Sequence, residues 1–185
     1  PKQASVVKAG KVFVVKKIRY RVIKVNGRKG SVTVKGVKGT VKKLVIPKKV
    51  VYKGIRFEVS AIDDRAFYKN RKIRRALIGT NIRLIGKMAF YGTKQLRYID
   101  IKTKKLKVIG KKAFIGIYPA AKIKIPRTRK KKYIKLLANK QRVHKMEFSA
   151  FPLVLHLKIA AVPAPVVHTV VSDINLISRD GKLFT

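Results

Sequence analysis

The chain has no cysteine, no tryptophan and few acidic side chains, with only seven aspartates and glutamates against 48 lysines and arginines in 185 residues. The lack of cysteine excludes disulfides and thiolate metal sites, although it does not fix the compartment. The formal net charge of +41 predicts attraction to something anionic, such as a nucleic acid or a charged surface. Lysine supplies 34 of these charges and arginine 14. A lysine ammonium lacks the planar fork of arginine, so this balance favours diffuse attraction over base reading.

Long apolar runs are also missing. The most apolar stretch, residues 151–167, contains three prolines together with His156 and Lys158, which excludes a transmembrane helix there. Hydrophobic residues still make up 46% of the chain, too many for a disordered basic tail. The opening "PKQASVVKAG" has neither an initiator methionine nor an apolar segment, so we expect a processed form or a fragment, from which a signal peptide could have been removed.

Charge divides the chain near Gln141. Residues 1–141 hold 43 lysines and arginines and four acids, whereas residues 142–185 hold five and three, with all three histidines. We therefore place a boundary at this point. Residues 142–185 are interpreted as an unmatched tail, which is either a separate element or the product of a frameshifted reading frame.

A short motif recurs along the basic part of the chain. "IGKMAFYG" begins at residue 85 and "IGKKAFIG" begins 24 positions later, at residue 109. The pair Ala-Phe occurs three times in this frame, as Ala66-Phe67, Ala89-Phe90 and Ala113-Phe114. A short apolar run precedes each pair. A period of this length is typical of leucine-rich-repeat solenoids.

The repeated letters have structural roles in such a solenoid. Glycine permits a sharp turn, alanine permits close approach between coils, and the phenylalanine rings fill the core in register. From the one strand expected in each coil, Leu77, Ile99 and Ile123 are predicted to face inward. We therefore interpret the repeat as a structural core rather than a ligand site; its residues are Ala66, Phe67, Gly86, Ala89, Phe90, Gly110, Ala113 and Phe114.

The two ends of the basic part differ from the repeats. The segment "VNGRKGSVTVKGV" (25–37) indicates two strands joined by an Asn-Gly turn, and predicts that residues 1–40 form an N-terminal β-hairpin cap. In "RTRKKKYIKLLANK" (127–140), apolar residues at helical spacing predict a short basic terminal helix. The predicted fold is mainly β: a right-handed leucine-rich-repeat β-solenoid with a short parallel sheet and about four coils, over residues 41–141.

These residues resemble the BspA-type leucine-rich repeats of bacterial surface proteins. The segments that carry the resemblance are "LVIPKKVVYKGIRFEVSAIDDRAFYKN", "ALIGTNIRLIGKMAFYGTKQLRYIDI" and "KVIGKKAFIGI", and it covers roughly residues 10–140. Asp63 departs from the pattern, because it stands where Gly86 and Gly110 stand in the later units; aspartate tolerates a left-handed backbone better than most residues. The resemblance, closest to Firmicutes-like versions, implies a secreted or surface-displayed interaction and adhesion module without catalytic residues.

The residues predict neither an enzyme nor a cofactor or metal site. Residues 1–141 contain no histidine, and two of their four carboxylates, Asp63 and Asp64, are adjacent, so that they point to opposite faces in an extended segment. The three histidines lie 12 residues apart without the partners of a zinc site; they are His144, His156 and His168.

Binding is therefore the expected function, and two alternatives remain open. The first is an extracellular or cell-surface module that contacts a protein, an anionic glycan or a wall polymer; the second is an intracellular RNA-binding protein. We favour the first, because the phenylalanines are assigned to the core and leave no aromatic stripe for base stacking. Nonspecific nucleic-acid binding at low salt is expected in either case. The candidate anion-binding residues are Arg127, Arg129, Lys130, Lys131 and Lys132, with Lys104, Lys105 and Lys107 behind them. The oligomeric state is left open.

Overall fold

The computed structural model describes residues 7–138, 145–149 and 154–158. Strands dominate these residues. They are β1 (Val12–Val15), β2 (Ile18–Asn26), β3 (Lys29–Val37), β4 (Lys43–Ile46), β5 (Lys49–Tyr52), β6 (Ile55–Ile62), β7 (Arg75–Ile78), β8 (Leu84–Ile85), β9 (Tyr98–Ile101), β10 (Val108–Ile109), β11 (Ala120–Lys124), β12 (Lys145–Ser149) and β13 (Val154–Lys158). A turn of 3-10 helix, Arg127–Arg129, leads into the helix α1, Lys130–Ala138.

The strands form two sheets. The first has the order β1-β2-β3-β6-β8-β10, with β5 also paired to β6, and the second has the order β4-β7-β9-β11-β13-β12. Each repeat contributes one parallel strand to each sheet, first β7 and β8, then β9 and β10. The sequence predicted only one strand per coil; the second is the two-residue strand just before Gly86 or Gly110. The predicted mainly β solenoid of about four coils is confirmed.

Strand register decides which side chains enter the core. Across the second sheet, Leu44, Ala76, Ile99 and Ile123 pair in one row, and all four are fully buried. Successive residues of a strand point to opposite faces, so Leu77 lies on the outer face and is only half-buried. The prediction that Leu77 faces inward is wrong, because Ala76 and Ile78 take the inward positions on β7.

The three repeat phenylalanines stack through the core. The Phe67 and Phe90 ring centroids are 4.8 Å apart, and those of Phe90 and Phe114 are 5.4 Å apart. Each ring is at most 2% exposed. Backbone hydrogen bonds join the same coils: the Phe67 N–H donates to the Ala89 carbonyl at 2.7 Å, and the Phe90 N–H donates to the Ala113 carbonyl at 2.8 Å. Ring stacking and backbone pairing therefore fix the same spacing between coils.

The repeat glycines are needed for close approach between coils. A Cβ added to Gly86 would lie 2.5 Å from the Asp64 nitrogen, and one added to Gly110 would lie 2.6 Å from the Gly86 carbonyl carbon. Neither glycine has a positive φ; the left-handed positions fall two residues later, at Met88 (φ 53°) and Lys112 (φ 59°). The turning freedom expected of these glycines is thus not what the structure uses.

Asp63 takes the glycine position of the first unit without steric conflict. Its neighbour is the strand β3, to which its N–H donates at the Val34 carbonyl, rather than the turn of a preceding coil. Arg21 Nη2 donates to both carboxylate oxygens of Asp63, at 3.0 and 2.8 Å. Asp63 is not left-handed; Arg65 is, at φ 52°. The Asp63 side chain and its salt bridge to β2 therefore occupy the space that the backbone of the preceding turn occupies beside Gly86 and Gly110.

At the N-terminal end, β1, β2 and β3 form an antiparallel meander. Asn26 pairs with Lys29, so the connecting loop is Gly27-Arg28, with Gly27 at φ 54°. The meander continues the first sheet because β3 pairs in parallel with β6. An aromatic cluster packs there: Phe13 lies 4.2 Å from Tyr52 and 5.6 Å from Phe57, between ring centroids.

At the other end, α1 occupies the predicted position of the terminal helix. Its residues Tyr133 and Leu137 are fully buried. Two strands from the segment interpreted as a tail extend the second sheet: β13 pairs antiparallel with β11, and β12 pairs antiparallel with β13. Gln141, His144 and His168 lie outside the described residues, so the boundary at Gln141 stays a prediction.

We predict that Phe90→Ala lowers the free energy of unfolding by about 3–5 kcal/mol, since it removes the middle ring of a buried stack. Urea denaturation measures this value. Val108→Ala, at a side chain that is 45% exposed, is the matched control and should change stability by less than about 0.5 kcal/mol. An unchanged melting temperature for Phe90→Ala would contradict the structural role of the repeat.

A second pair of variants separates close approach from turning. We expect Gly110→Ala to destabilise the fold by about 1–3 kcal/mol, because the new methyl group collides with the backbone of the preceding coil. Lys112→Gly should change stability by less than about 1 kcal/mol, since glycine adopts the left-handed conformation without strain. Thermal unfolding shows which of the two variants is less stable. A larger loss of stability for Lys112→Gly than for Gly110→Ala would contradict the role of close approach at Gly110.

Candidate functional site

The predicted anion-binding residues lie at the C-terminal end of the repeats, on the 3-10 turn, on α1 and on a neighbouring loop. Arg127 and Arg129 are on the 3-10 turn, and Lys130–Lys132 form the first turn of α1. Lys104, Lys105 and Lys107 lie in the loop between β9 and β10, residues 102–107. All eight side chains are exposed. We call these eight residues the basic end.

Tyr133 joins the two halves of the basic end. Its ring is fully buried, and its hydroxyl donates to the Thr103 carbonyl and accepts from the Leu106 N–H at 3.3 Å. Thr103 is held in turn, because its hydroxyl donates to the Ile82 carbonyl at 2.8 Å and accepts from the Lys105 N–H at 3.0 Å. Tyr133 therefore keeps Lys130–Lys132, in the first turn of α1, close to the loop that carries Lys104, Lys105 and Lys107.

Burial raises the pKa of Tyr133, and this effect exceeds the lowering by the Leu106 N–H and by the charge of Arg129. The phenol therefore stays protonated at neutral pH. It can serve as a hydrogen-bond donor to Thr103 throughout the physiological range.

Two acidic side chains of the repeats, Asp63 and Asp64, have partners outside the basic end. Asp63 binds Arg21, and Asp64 Oδ1 accepts the Lys87 backbone N–H at 2.6 Å. Within the described residues, no group of three or more histidines, cysteines, aspartates or glutamates is placed to hold a metal ion. Four carboxylates cannot neutralise the 43 cations of residues 1–141, so most of the positive charge faces solvent or a partner.

A second charged feature lies on the second sheet, and the sequence reasoning missed it. It is a groove of about 410 Å³ whose lining residues are Arg74, Arg75, Arg97, Tyr98, Tyr118, Ala120 and Lys122. We call it the arginine–tyrosine groove. Four of its seven residues are cationic and none is acidic.

The solenoid register builds this groove. Arg75, Tyr98 and Lys122 pair side by side on three adjacent strands, and Arg97 follows the position of Arg74 one coil later. The guanidinium carbon of Arg75 lies 5.6 Å from the Tyr98 ring centroid, and that of Arg97 lies 4.3 Å from the Tyr118 ring centroid. The signal for it was present in the sequence, as Arg74-Arg75 and Arg97-Tyr98 are one repeat length of 23 residues apart.

The pKa of Tyr98 is raised by burial and by the charge of Asp100, against a lowering by Arg75. Its hydroxyl therefore remains a neutral donor and acceptor at the edge of a cationic groove. The groove thus offers an uncharged tyrosine hydroxyl for hydrogen bonds beside four positively charged side chains.

A more apolar groove of about 550 Å³ lies between the N-terminal meander and the first coil, among residues of β2, β4 and β5. Val45 and Val51 are exposed beside it, at 48% and 59%. Its lining offers three lysines and no acid, histidine or hydroxyl nucleophile other than Tyr20, whose pKa burial raises to about 12. It holds no arrangement suited to catalysis.

The chain matches the family model of the BspA type leucine rich repeat region, in six copies over residues 53–152. The match covers more than half of the chain, and the protein belongs to this family. The matched region begins at residue 53, later than the resemblance seen in the sequence, and it ends eleven residues beyond Gln141. A search of curated protein sequences gave no significant match.

Several solved structures are similar to this chain. A leucine rich cell surface protein from Faecalibacterium prausnitzii A2-165 is 22% identical over 59% of this chain and 29% of its own, with a TM-score of 0.49. A leucine-rich repeat protein from Bacteroides ovatus is 26% identical over 60% of this chain and 37% of its own, with a TM-score of 0.48. The pneumococcal vaccine antigen PcpA is 22% identical over 60% of this chain and 38% of its own, with a TM-score of 0.45. This chain thus spans less than two fifths of each.

Within the described residues, no helix has the length and apolar character that a membrane span requires.

We predict that Tyr133→Phe lowers the free energy of unfolding by about 1–3 kcal/mol at neutral pH, because the Leu106 N–H and the Thr103 carbonyl lose their partner. The folded-state pKa of Tyr133 is raised above the ordinary value, so this contribution is full below about pH 10 and is lost as the pH rises through the folded pKa. Denaturation of wild type and variant between pH 7 and 11 measures it. Tyr68→Phe, at a side chain that is 40% exposed, is the control, and an equal effect in both variants would contradict the role given to Tyr133.

Proposed function

We propose that this protein is a non-enzymatic interaction module of a bacterial surface or secreted protein, and that its basic end binds an anionic polymer or the acidic face of a protein. The observation that carries the proposal is the basic end itself: eight exposed cations lie on the 3-10 turn, on α1 and on the loop to which Tyr133 ties α1. Membership of a leucine-rich-repeat family supports a binding function. The extracellular location follows the resemblance to BspA-type repeats of bacterial surface proteins.

The charge of the basic end suits a repeating anion better than a single small ligand. Lysine ammonium groups are compact point charges on flexible stems, so they follow a charged chain without demanding one geometry. Each cation that contacts a polyanion releases condensed counterions, which makes such binding strong at low salt and weak at high salt. Several weak contacts on one solenoid add through effective concentration. A wall phosphate polymer or an acidic glycan has the required repeating charge.

Intracellular RNA binding is the second candidate, and one observation favours it. The arginine–tyrosine groove places aromatic rings beside cations, the combination that single-strand binders use and that the sequence reasoning found absent. The rings of Tyr98 and Tyr118 are half-buried, however, and a guanidinium lies over each. They offer less face for stacking a base than the platforms of RNA-binding folds, and we therefore keep the surface function as the main proposal.

The test compares two quadruple variants of equal charge. We expect Lys104→Gln, Lys107→Gln, Lys131→Gln and Lys132→Gln together to weaken binding of a poly(glycerol phosphate) about tenfold or more at physiological salt. The slope of log affinity against log salt should also become shallower, by up to about one unit per lysine in contact. Fluorescence titration at several salt concentrations gives both quantities.

The control removes four exposed lysines in or directly beside the N-terminal meander; Lys11, Lys24, Lys35 and Lys38 are each changed to glutamine. Equal losses in the two variants would show that binding follows net charge alone and would remove the basic end as the site. A single-stranded RNA at matched phosphate concentration is the competitor. If the RNA stays bound when the polymer is added and keeps affinity at high salt, the intracellular RNA-binding alternative replaces the proposal.

A further inference from the structure

The arginine–tyrosine groove differs from the basic end in the kind of cation it presents. Its three arginines have planar guanidinium groups, and two of these, on Arg75 and Arg97, lie over tyrosine rings. Stacking on a ring restricts a guanidinium while leaving the N–H donors at its edge available. These arginine side chains therefore lose less conformational entropy when a ligand binds. Such a group suits bidentate recognition of a carboxylate, sulfate or phosphate.

The arginine donors of the groove have no partner within the part of the chain that the structure describes. No hydrogen bond or ion pair there engages the side chains of Arg74, Arg75 or Arg97. Asp100 is near Tyr98 and affects its pKa, but it does not line the groove. Four cations around about 410 Å³ favour a ligand that carries more than one negative charge.

The position of the groove on the sheet narrows the class of ligand. The groove opens on β7, β9 and β11, each of which is paired on both sides. An extended peptide therefore has no free strand edge to add to. A nucleobase has little ring face on which to stack, because each tyrosine is half-buried and has a guanidinium over it. What the tyrosines can offer are their edges and their hydroxyls, which hydrogen-bond to the hydroxyl groups of a sugar.

We propose that the arginine–tyrosine groove is a binding site for an acidic oligosaccharide, whose carboxylate or sulfate groups contact Arg75, Arg97 and Lys122 and whose sugar hydroxyls contact Tyr98 and Tyr118. The volume of the groove lies within the range of small-ligand sites. This site deepens the proposed function, on which it rests for the anionic nature of the partner, but it uses different residues from the basic end.

The direct test keeps the charge and removes the guanidinium geometry. In the full chain, the double variant Arg75→Lys and Arg97→Lys should bind a heparin-derived hexasaccharide at least about tenfold more weakly than wild type by titration calorimetry at physiological salt. The matched control, Arg56→Lys with Arg83→Lys, changes two exposed arginines on or beside the first sheet and should alter the affinity less than about twofold. Circular dichroism melts check that both variants remain folded.

Two comparison ligands separate the possible anions. Trigalacturonate carries carboxylates without sulfates, and binding to it that depends on Arg75 and Arg97 identifies the carboxylate as sufficient. If only the hexasaccharide binds in this way, the sulfate is required; either result supports an acidic sugar. A hexathymidylate that binds the groove more tightly than the hexasaccharide overturns the proposal in favour of a nucleic acid.

The outcomes also separate this proposal from the proposed function. If the hexasaccharide does not bind wild type, or binds the Arg75→Lys, Arg97→Lys variant as well as wild type, the groove is not the site, whatever the long polymer does. If hexasaccharide binding depends on the two arginines while the basic-end variant binds poly(glycerol phosphate) as wild type does, the proposed function of the basic end fails and the groove stands.

Discussion

The close contact between the backbones of successive coils is the constraint on which the rest of this structure depends. Gly86 and Gly110 have no room for a side chain because the turn of the preceding coil lies against them. The stack of Phe67, Phe90 and Phe114 fills the interior at the same spacing. A bulkier residue at either kind of position would separate the coils and break the inter-coil hydrogen bonds. The glycine, alanine and phenylalanine at these core positions therefore recur from coil to coil, whereas the exposed positions differ.

This regular spacing also arranges the charge. Residues one repeat apart lie side by side, so cations that are distant in sequence become neighbours, as Arg74 and Arg97 do just before the strands β7 and β9. Mutual repulsion among so many cations opposes folding, and the buried core must outweigh it. An anionic ligand that spanned several coils would relieve this repulsion, and its binding would then be linked to folding stability. The basic end and the arginine–tyrosine groove differ in their cations: the first presents exposed lysines and arginines, and the second has two arginines that lie over tyrosine rings.

Much of the fold could be predicted from the sequence because its period is strict. The recurrence of Ala-Phe predicted the coils, and the spacing of Tyr133, Leu136 and Leu137 predicted the terminal helix. Register was harder, since a shift of one residue exchanges Leu77 with Ala76, and both are apolar. The reason for the glycines was also hidden, because close approach depends on a neighbouring coil rather than on the local chain. The basic clusters of the candidate site were visible as runs, whereas the groove needed Arg97 and Tyr118 to meet across two coils.

Native-state hydrogen exchange tests the central claim most directly, namely that the coils are held as one unit by their backbone contacts. The amides of Phe67, Lys69, Phe90 and Gly92 each donate to a carbonyl of the next coil, at 2.7 to 2.8 Å. They should exchange only through global unfolding, all with the same high free energy of opening, while the amide of Lys104 in the exposed loop exchanges far faster. Inter-coil amides that exchange as fast as that of Lys104, or with a different free energy in each coil, would contradict the account.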